Sequence, residues 1–111
     1  MLNQSIIVGR LTKDPEVVST ENGRKMTQII VAVNRSFKNI DGKYDTDFIR
    51  CILWNGVAVS TSEYCKKGDL VGIKGRLQSN SYEVDGQVKY SVDIIAEKVT
   101  FLSNKKLEEA E

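Results

Sequence analysis

The chain has no histidine, one proline, one tryptophan and two cysteines in 111 residues. Without histidine it has no side chain that ordinarily exchanges protons near neutral pH. It also lacks a G-x-S-x-G motif and a phosphate-binding glycine loop. The spacing of Cys51 and Cys65 fits neither a CxxC pair nor a zinc ligand set, so we expect reduced thiols. These absences predict a protein that is not an enzyme and needs no metal or other cofactor.

Long apolar runs are also missing. No stretch approaches the roughly eighteen apolar residues of a membrane span, and the start Met1-Leu2-Asn3-Gln4 carries no charged leader. We therefore expect a cytoplasmic protein with no membrane partner. The 16 basic and 15 acidic residues leave a net charge of +1, which is too small for binding by a general positive field. Any basic site must therefore be local.

The remaining pattern is that of a small all-β domain. We expect one domain over residues 1–102 and a short polar, mobile tail over residues 103–111. Alternating segments predict strands over residues 5–12, 16–20, 26–37, 45–54, 69–82 and 87–102. Turn signals separate several of them: Asn22-Gly23, Asp41-Gly42 and, strongest of all, Asp85-Gly86.

One short helix is predicted over residues 56–65, with Asn55 as its cap. It follows the third main strand and precedes the fourth, the order found in a five-stranded OB-fold Greek-key barrel. Gly72 and Gly75 interrupt the fourth main strand, where a small closed sheet must bend. The fold prediction is therefore an OB-fold barrel.

Aromatic and basic residues share strand faces in this prediction. Because side chains alternate along a strand, Phe48, Arg50 and Trp54 lie on one face, while Ile49, Cys51 and Leu53 form a core face. Arg35 and Phe37 project together near the end of the preceding strand, and Tyr82 lies near the Asp85-Gly86 turn. Flat rings stack on bases and cations hold phosphates, so these faces predict a surface for single-stranded nucleic acid.

The predicted site combines four stacking rings with six cations. The rings are Phe37, Phe48, Trp54 and Tyr82, and the cations are Arg10, Arg35, Lys38, Arg50, Lys74 and Arg76. In the competing interpretation, Phe48 and Trp54 belong to the core while Arg50 reaches solvent, and Lys74 is merely solvated. Further alternatives are a metal-dependent nuclease using Asp45 and Asp47 beside Arg50, an OB module for RNA, and a primosome-type partner protein.

Several motifs resemble the bacterial and phage single-stranded DNA-binding proteins. They are N-x-x-x-x-V-G-R-L-x-x-D-P-E over residues 3–16, A-V-N-R-S-F ending at Phe37, D-F-I-R-C-I-L-W ending at Trp54, S-E-Y-C-K-K-G ending at Gly68, and V-G-I-K-G-R-L over residues 71–77. The resemblance implies an OB-fold homotetramer that coats single-stranded DNA, with a dimer interface along residues 5–11. It also implies base stacking at the four rings named above.

The resemblance has three departures. Trp54 is the only tryptophan, whereas the family often has tryptophan at more than one stacking position. The fourth main strand carries Gln78, Asn80 and Ser81 where many relatives are more basic. The chain also ends Lys105-Lys106-Leu107-Glu108-Glu109-Ala110-Glu111, without the family's long linker and acidic Pro-Phe tip. We therefore predict no recruitment of replication proteins through such a tip.

Overall fold

A computed structural model describes residues 2–103 of the chain. The predicted tail, and with it the expectation about an acidic tip, lies outside the described residues except for Ser103, which is the last residue of a strand. The elements in chain order are β1 (Ser5–Leu11), β2 (Val18–Ser19), β3 (Lys25–Lys38), β4 (Tyr44–Trp54), α1 (Asn55–Tyr64), β5 (Leu70–Val84) and β6 (Gln87–Ser103). Each predicted strand is present, with ends displaced by a few residues at most.

The strands form a closed barrel. The sheet order is β1-β5-β6-β4-β3-β2, and an additional pairing of β1 with β3 closes five of the strands into a ring. The two-residue β2 pairs only with β3 and stays outside that ring. Neighbouring strands are antiparallel except β4 and β6, which run parallel where Cys51 faces Ile94. The helix follows the third barrel strand, so the predicted OB-fold is confirmed.

The core is built from inward-facing residues of the barrel strands, together with Ala58 of α1 and Cys65. Its buried apolar residues are Leu11, Ile29, Val31, Cys51, Leu53, Ala58, Cys65, Val71, Ile73, Ile94 and Ala96. Burying such side chains contributes roughly 1.5–3 kcal/mol each for the larger ones. Both cysteines are buried and free, as predicted.

The helix begins differently from the prediction. Trp54 occupies the cap position with extended backbone and no side-chain cap hydrogen bond, so the assignment of Asn55 as the cap is wrong. Asn55 is instead the first helical residue and has a positive φ of 51°. The helix is held by burial of Ala58 and Thr61 against the barrel, and tertiary packing therefore outweighs the missing cap.

Glycine is required at two points in the β5–β6 hairpin. Asp85 and Gly86 have φ values of 51° and 79°, the pair of positive angles that a two-residue type I′ turn needs. At Gly75 the register with β6 shifts, and a Cβ there would collide with the backbone carbonyl of Ile95. Gly72 has no such constraint, since its nearest contact would be an ordinary 3.5 Å. The predicted bend is therefore located at Gly75.

Candidate nucleic-acid interface

The outer face of β4 presents the predicted ring and cation positions. Phe48 is 68% exposed, so the interpretation of this ring as a core residue is wrong. Trp54 is only partly exposed, and Cys51 and Leu53 on the opposite face are buried. Register with β3 places Ala32 opposite Phe48 and Met26 opposite Trp54. Phe48 and Trp54 are six residues apart on one strand, which corresponds to about 20 Å.

Arg50, between these two rings, is bound to a carboxylate. Its Nε donates to Asp93 Oδ1 at 2.6 Å and its Nη2 donates to Asp93 Oδ2 at 3.1 Å. This hydrogen-bonded pairing raises the pKa of Arg50. The sequence interpretation gave Arg50 no partner within the protein, but β6 supplies a carboxylate. Asp93 is buried, and its side chain is 5% exposed against 41% for Arg50.

The β5–β6 hairpin contributes polar groups to the same face. Asn80 Nδ2 donates to Asp93 Oδ2 at 3.0 Å, and Arg50 Nη2 lies 3.4 Å from Ser91 Oγ. Tyr82 continues the Asn80 face along β5 and is 51% exposed. The predicted placement of Tyr82 with the polar side chains of β5 is therefore observed, and the network joins β4, β5 and β6.

Leu77 departs from the predicted inward face of β5. It is 48% exposed, although Val71 and Ile73 on the same face are fully buried. The reason is that β1 pairs with β5 only as far as Gly75, so Leu77 lies past the part of the barrel wall that β1 forms, in the hairpin that continues to Val84 and Gln87. Beyond the wall, alternation no longer separates core from solvent.

Arg35 is held by two carboxylates on β4. It forms hydrogen bonds with Asp47, with Nη2 to Oδ1 at 2.9 Å, and its Nη1 lies 3.7 Å from Asp45 Oδ2. This contact raises the pKa of Arg35 and lowers the pKa of Asp47. The alternative placing Asp45 and Asp47 beside Arg50 is therefore wrong. Within residues 2–103, no group of three or more potential metal ligands occurs.

Phe37 and Lys38 lie where β3 leaves regular pairing. The β3–β4 register shifts between Asn34 and Lys38, and Phe37, inside this segment, is 64% exposed. Lys38 Nζ lies 5.9 Å from the ring centroid of Tyr44, which is also exposed. Tyr44 is a ring that the sequence interpretation missed. The sequence places Tyr44 two residues after the Asp41-Gly42 turn, so a hairpin there brings it opposite Lys38. This position could have identified Tyr44 as a further ring of the candidate interface.

The other predicted cations differ in whether they already contact a partner within the protein. Arg10 Nη1 donates to the carbonyl of Gly68 at 2.9 Å, and Arg10 lines a shallow groove together with Phe48. Lys74 and Arg76 are exposed on β5, and neither takes part in an ion pair with another residue of the described range. Within the described residues, no carboxylate therefore neutralises Lys74 or Arg76.

A cation that the sequence did not predict lies over the ring of Trp54. The guanidinium carbon of Arg24 lies 4.2 Å from the centroid of the indole ring. Arg24 precedes β3 by one residue, and Met26 is paired with Trp54. Residues 24 and 26 share a face, so Arg24 is the diagonal neighbour of Trp54 across the two strands.

In the described range, no helix has the length and apolar character needed to cross a membrane.

Comparison with known proteins gives consistent matches. The model of the Single-strand binding protein family matches residues 2–102. Single-stranded DNA-binding protein B of Bacillus subtilis is 44% identical over 111 residues, covering 99% of this chain and 98% of that protein. The single-stranded DNA-binding protein of Bacillus cereus is 46% identical over 103 residues, which is 92% of this chain.

Single-stranded DNA-binding protein A of Bacillus subtilis is 44% identical over 106 residues, or 95% of this chain. The chain spans 61% of the Bacillus cereus protein and 62% of this one, less than two thirds of their lengths.

Proposed function

Because the chain belongs to the single-strand binding protein family, we propose that it binds single-stranded DNA without sequence preference. The observation that carries this proposal is Phe48, an exposed ring at the centre of the outer face of β4. An exposed phenyl ring gains from stacking on a base, and every base offers a flat face. The proposed contacts are base stacking at Phe37, Phe48, Trp54 and Tyr82.

The proposed phosphate contacts divide into two groups. Lys38, Lys74 and Arg76 present exposed charges. Arg10, Arg35 and Arg50 are already bonded to a carbonyl or to carboxylates, so they have fewer free donors for phosphate. Arg50 uses Nε and Nη2 on Asp93 and Ser91, so we assign the phosphate contact to Nη1.

The biological role follows from binding only the unpaired form. A protein that binds single strands shifts the duplex equilibrium by mass action and needs no catalytic step. We propose that this binding protects single-stranded DNA in the cytoplasm during replication, recombination, repair or DNA uptake. A homotetramer is the proposed assembly. It is supported by Ile6 and Val8, apolar residues of β1 that are 70% and 49% exposed.

A fluorescence titration with oligo-dT tests the proposal, since Trp54 is the sole indole. We expect addition of oligo-dT at low salt to quench its emission. Phe48→Ala removes one stacking contact worth about 1–3 kcal/mol, which corresponds to about 5- to 150-fold weaker binding. Its 68% exposure predicts an intact fold by circular dichroism.

Tyr64→Ala is the matched control. Tyr64 is a 67% exposed ring on α1, outside the β4 face, so its removal should leave affinity unchanged. The loss in Phe48→Ala should be the same for oligo-dT and for mixed sequences. Unchanged indole emission at low salt, together with no retention of oligo-dT by the protein, would refute the proposed function.

A further inference from the structure

Arg24 covers the indole of Trp54, and no acidic residue within residues 2–103 pairs with it. Its backbone is fixed by the turn before β3, where its carbonyl accepts from Thr20 N at 2.8 Å and its N–H donates to Thr20 Oγ1 at 3.2 Å. Its side chain is exposed. The guanidinium therefore lies on the solvent side of a partly buried ring, and this arrangement is set by the pairing of Met26 with Trp54.

The charge of Arg24 distinguishes it from the arginines predicted from the sequence. Arg35 and Arg50 each bond to aspartate, whereas the ion pairs formed within residues 2–103 do not include Arg24. Contact with a ring uses the flat face of a guanidinium and leaves its N–H donors at the edge. Arg24 thus combines a full positive charge, free donors and direct contact with a stacking ring.

We propose that Arg24 is a DNA-contacting residue that covers Trp54 in the free protein and binds a phosphate in the complex. This inference rests on the proposed function. A base that stacks on the solvent side of the indole must displace the guanidinium from it. The displaced donors are then within reach of the phosphates that flank that base. The interface consequently extends beyond β4 onto the turn between β2 and β3.

Lys25 provides a matched control for Arg24. It is the next residue, carries the same charge and is also exposed, but strand alternation points it to the opposite face from Arg24 and Met26. Arg24→Ala and Lys25→Ala therefore change the net charge equally and differ only in contact with Trp54. Neither side chain is buried, so both variants should fold.

The first measurement is acrylamide quenching of Trp54 in the protein without DNA. Removal of the covering guanidinium should raise the quenching constant in Arg24→Ala, while Lys25→Ala should match the wild type. The second measurement is oligo-dT affinity as a function of salt. Loss of one phosphate contact lowers the log–log slope by about 0.7 for single strands, so a tenfold rise in salt weakens Arg24→Ala about five-fold less than wild type.

The outcomes separate this inference from the proposed function. If wild type binds oligo-dT but Arg24→Ala keeps the wild-type slope, Arg24 is only a cover for Trp54 and the inference is wrong. If Arg24→Ala and Lys25→Ala lower the slope equally, only general charge is involved, and the inference is again wrong. If wild type does not bind oligo-dT at all, both proposals fail. Arg24→Lys, which keeps a cation, should retain the slope.

Discussion

The ion pair of Arg50 with Asp93 predicts a strongly non-additive double-mutant cycle. Arg50→Met leaves the carboxylate of Asp93, whose side chain is 5% exposed, without its cation. Removing one partner of a buried pair costs about 3–5 kcal/mol of unfolding free energy. Asp93→Asn should cost less, about 1.5–3 kcal/mol, the range for hydrogen bonds to charged groups. The difference arises because the Arg50 side chain is 41% exposed and can turn to water.

The double variant should recover about half of the summed losses of the two single variants. It retains neither charge, and the carboxamide oxygen of Asp93→Asn can still accept from Asn80 Nδ2. We therefore expect a coupling energy of about 3 kcal/mol, at the upper end of the range for residues in contact. Urea unfolding of the four proteins at one fixed protein concentration measures it, since assembly makes stability depend on concentration. Additivity to within about 0.5 kcal/mol would refute a coupled pair.

The same double variant also tests how Arg50 contributes to DNA binding. Loss of one arginine and one aspartate leaves the net charge equal to that of wild type. If Asp93 already neutralises most of the Arg50 charge, the salt slope for oligo-dT should fall by less than the roughly 0.7 of a full phosphate contact. Arg76→Met, which removes an exposed cation, should show the full decrease. Equal decreases in both would contradict neutralisation by Asp93.

Two further predictions concern the barrel itself. Gly75→Ala should lower the unfolding free energy by about 1–3 kcal/mol, because the new Cβ would collide with the Ile95 carbonyl. Gly72→Ala, measured by the same urea titration, should leave the unfolding free energy nearly unchanged. Equal losses in the two variants would contradict this reasoning. Burial raises the pKa of Cys51 to about 12 and of Cys65 to about 11, from an ordinary 9.0. Unfolded thiols therefore ionise first, and stability that is complete below pH 9 should decline above it by about 1.4 kcal/mol per pH unit per thiol. Urea titrations between pH 8 and about pH 10.5 should show this decline, and a flat profile would contradict it.

The features that were predictable from the sequence depend on neighbouring residues in the chain. The Asp85-Gly86 turn and the alternation of Ile49, Cys51 and Leu53 are local signals, and the structure confirms both. The start of α1 was predicted wrongly because side-chain capping by Asn55 is only one way to begin a helix. Here Trp54 passes directly from strand to helix, and no propensity rule describes that junction.

The contacts that could not be predicted depend on pairing between distant strands. Asp93 meets Arg50 because β4 and β6 run parallel where Cys51 faces Ile94, a register that no turn in the sequence fixes. Asp93 also stands in an alternating strand, where a charged residue normally indicates a solvent-facing position. Arg24 reaches Trp54 only through the register of β3 with β4. Residue type and position in the sequence therefore indicated Arg35 and Arg50 as candidate cations, but not their carboxylate partners, and they did not indicate Arg24.

The pairing of cations changes what the small net charge means for binding. The salt dependence of DNA affinity depends on the number of cations that contact phosphate and release counterions. A guanidinium that is bound to aspartate adds little to this dependence. Arg35 on β3 and Arg50 on β4 are so held, and their ion pairs with Asp47 and Asp93 fix the strand that presents Phe48. The uncompensated charges of Arg24 and Arg76 lie on strands or turns around that centre. In the proposed site, a nearly neutral chain can thus hold DNA, because its ion pairs position the strand that presents Phe48 and leave the surrounding cations for the phosphate backbone.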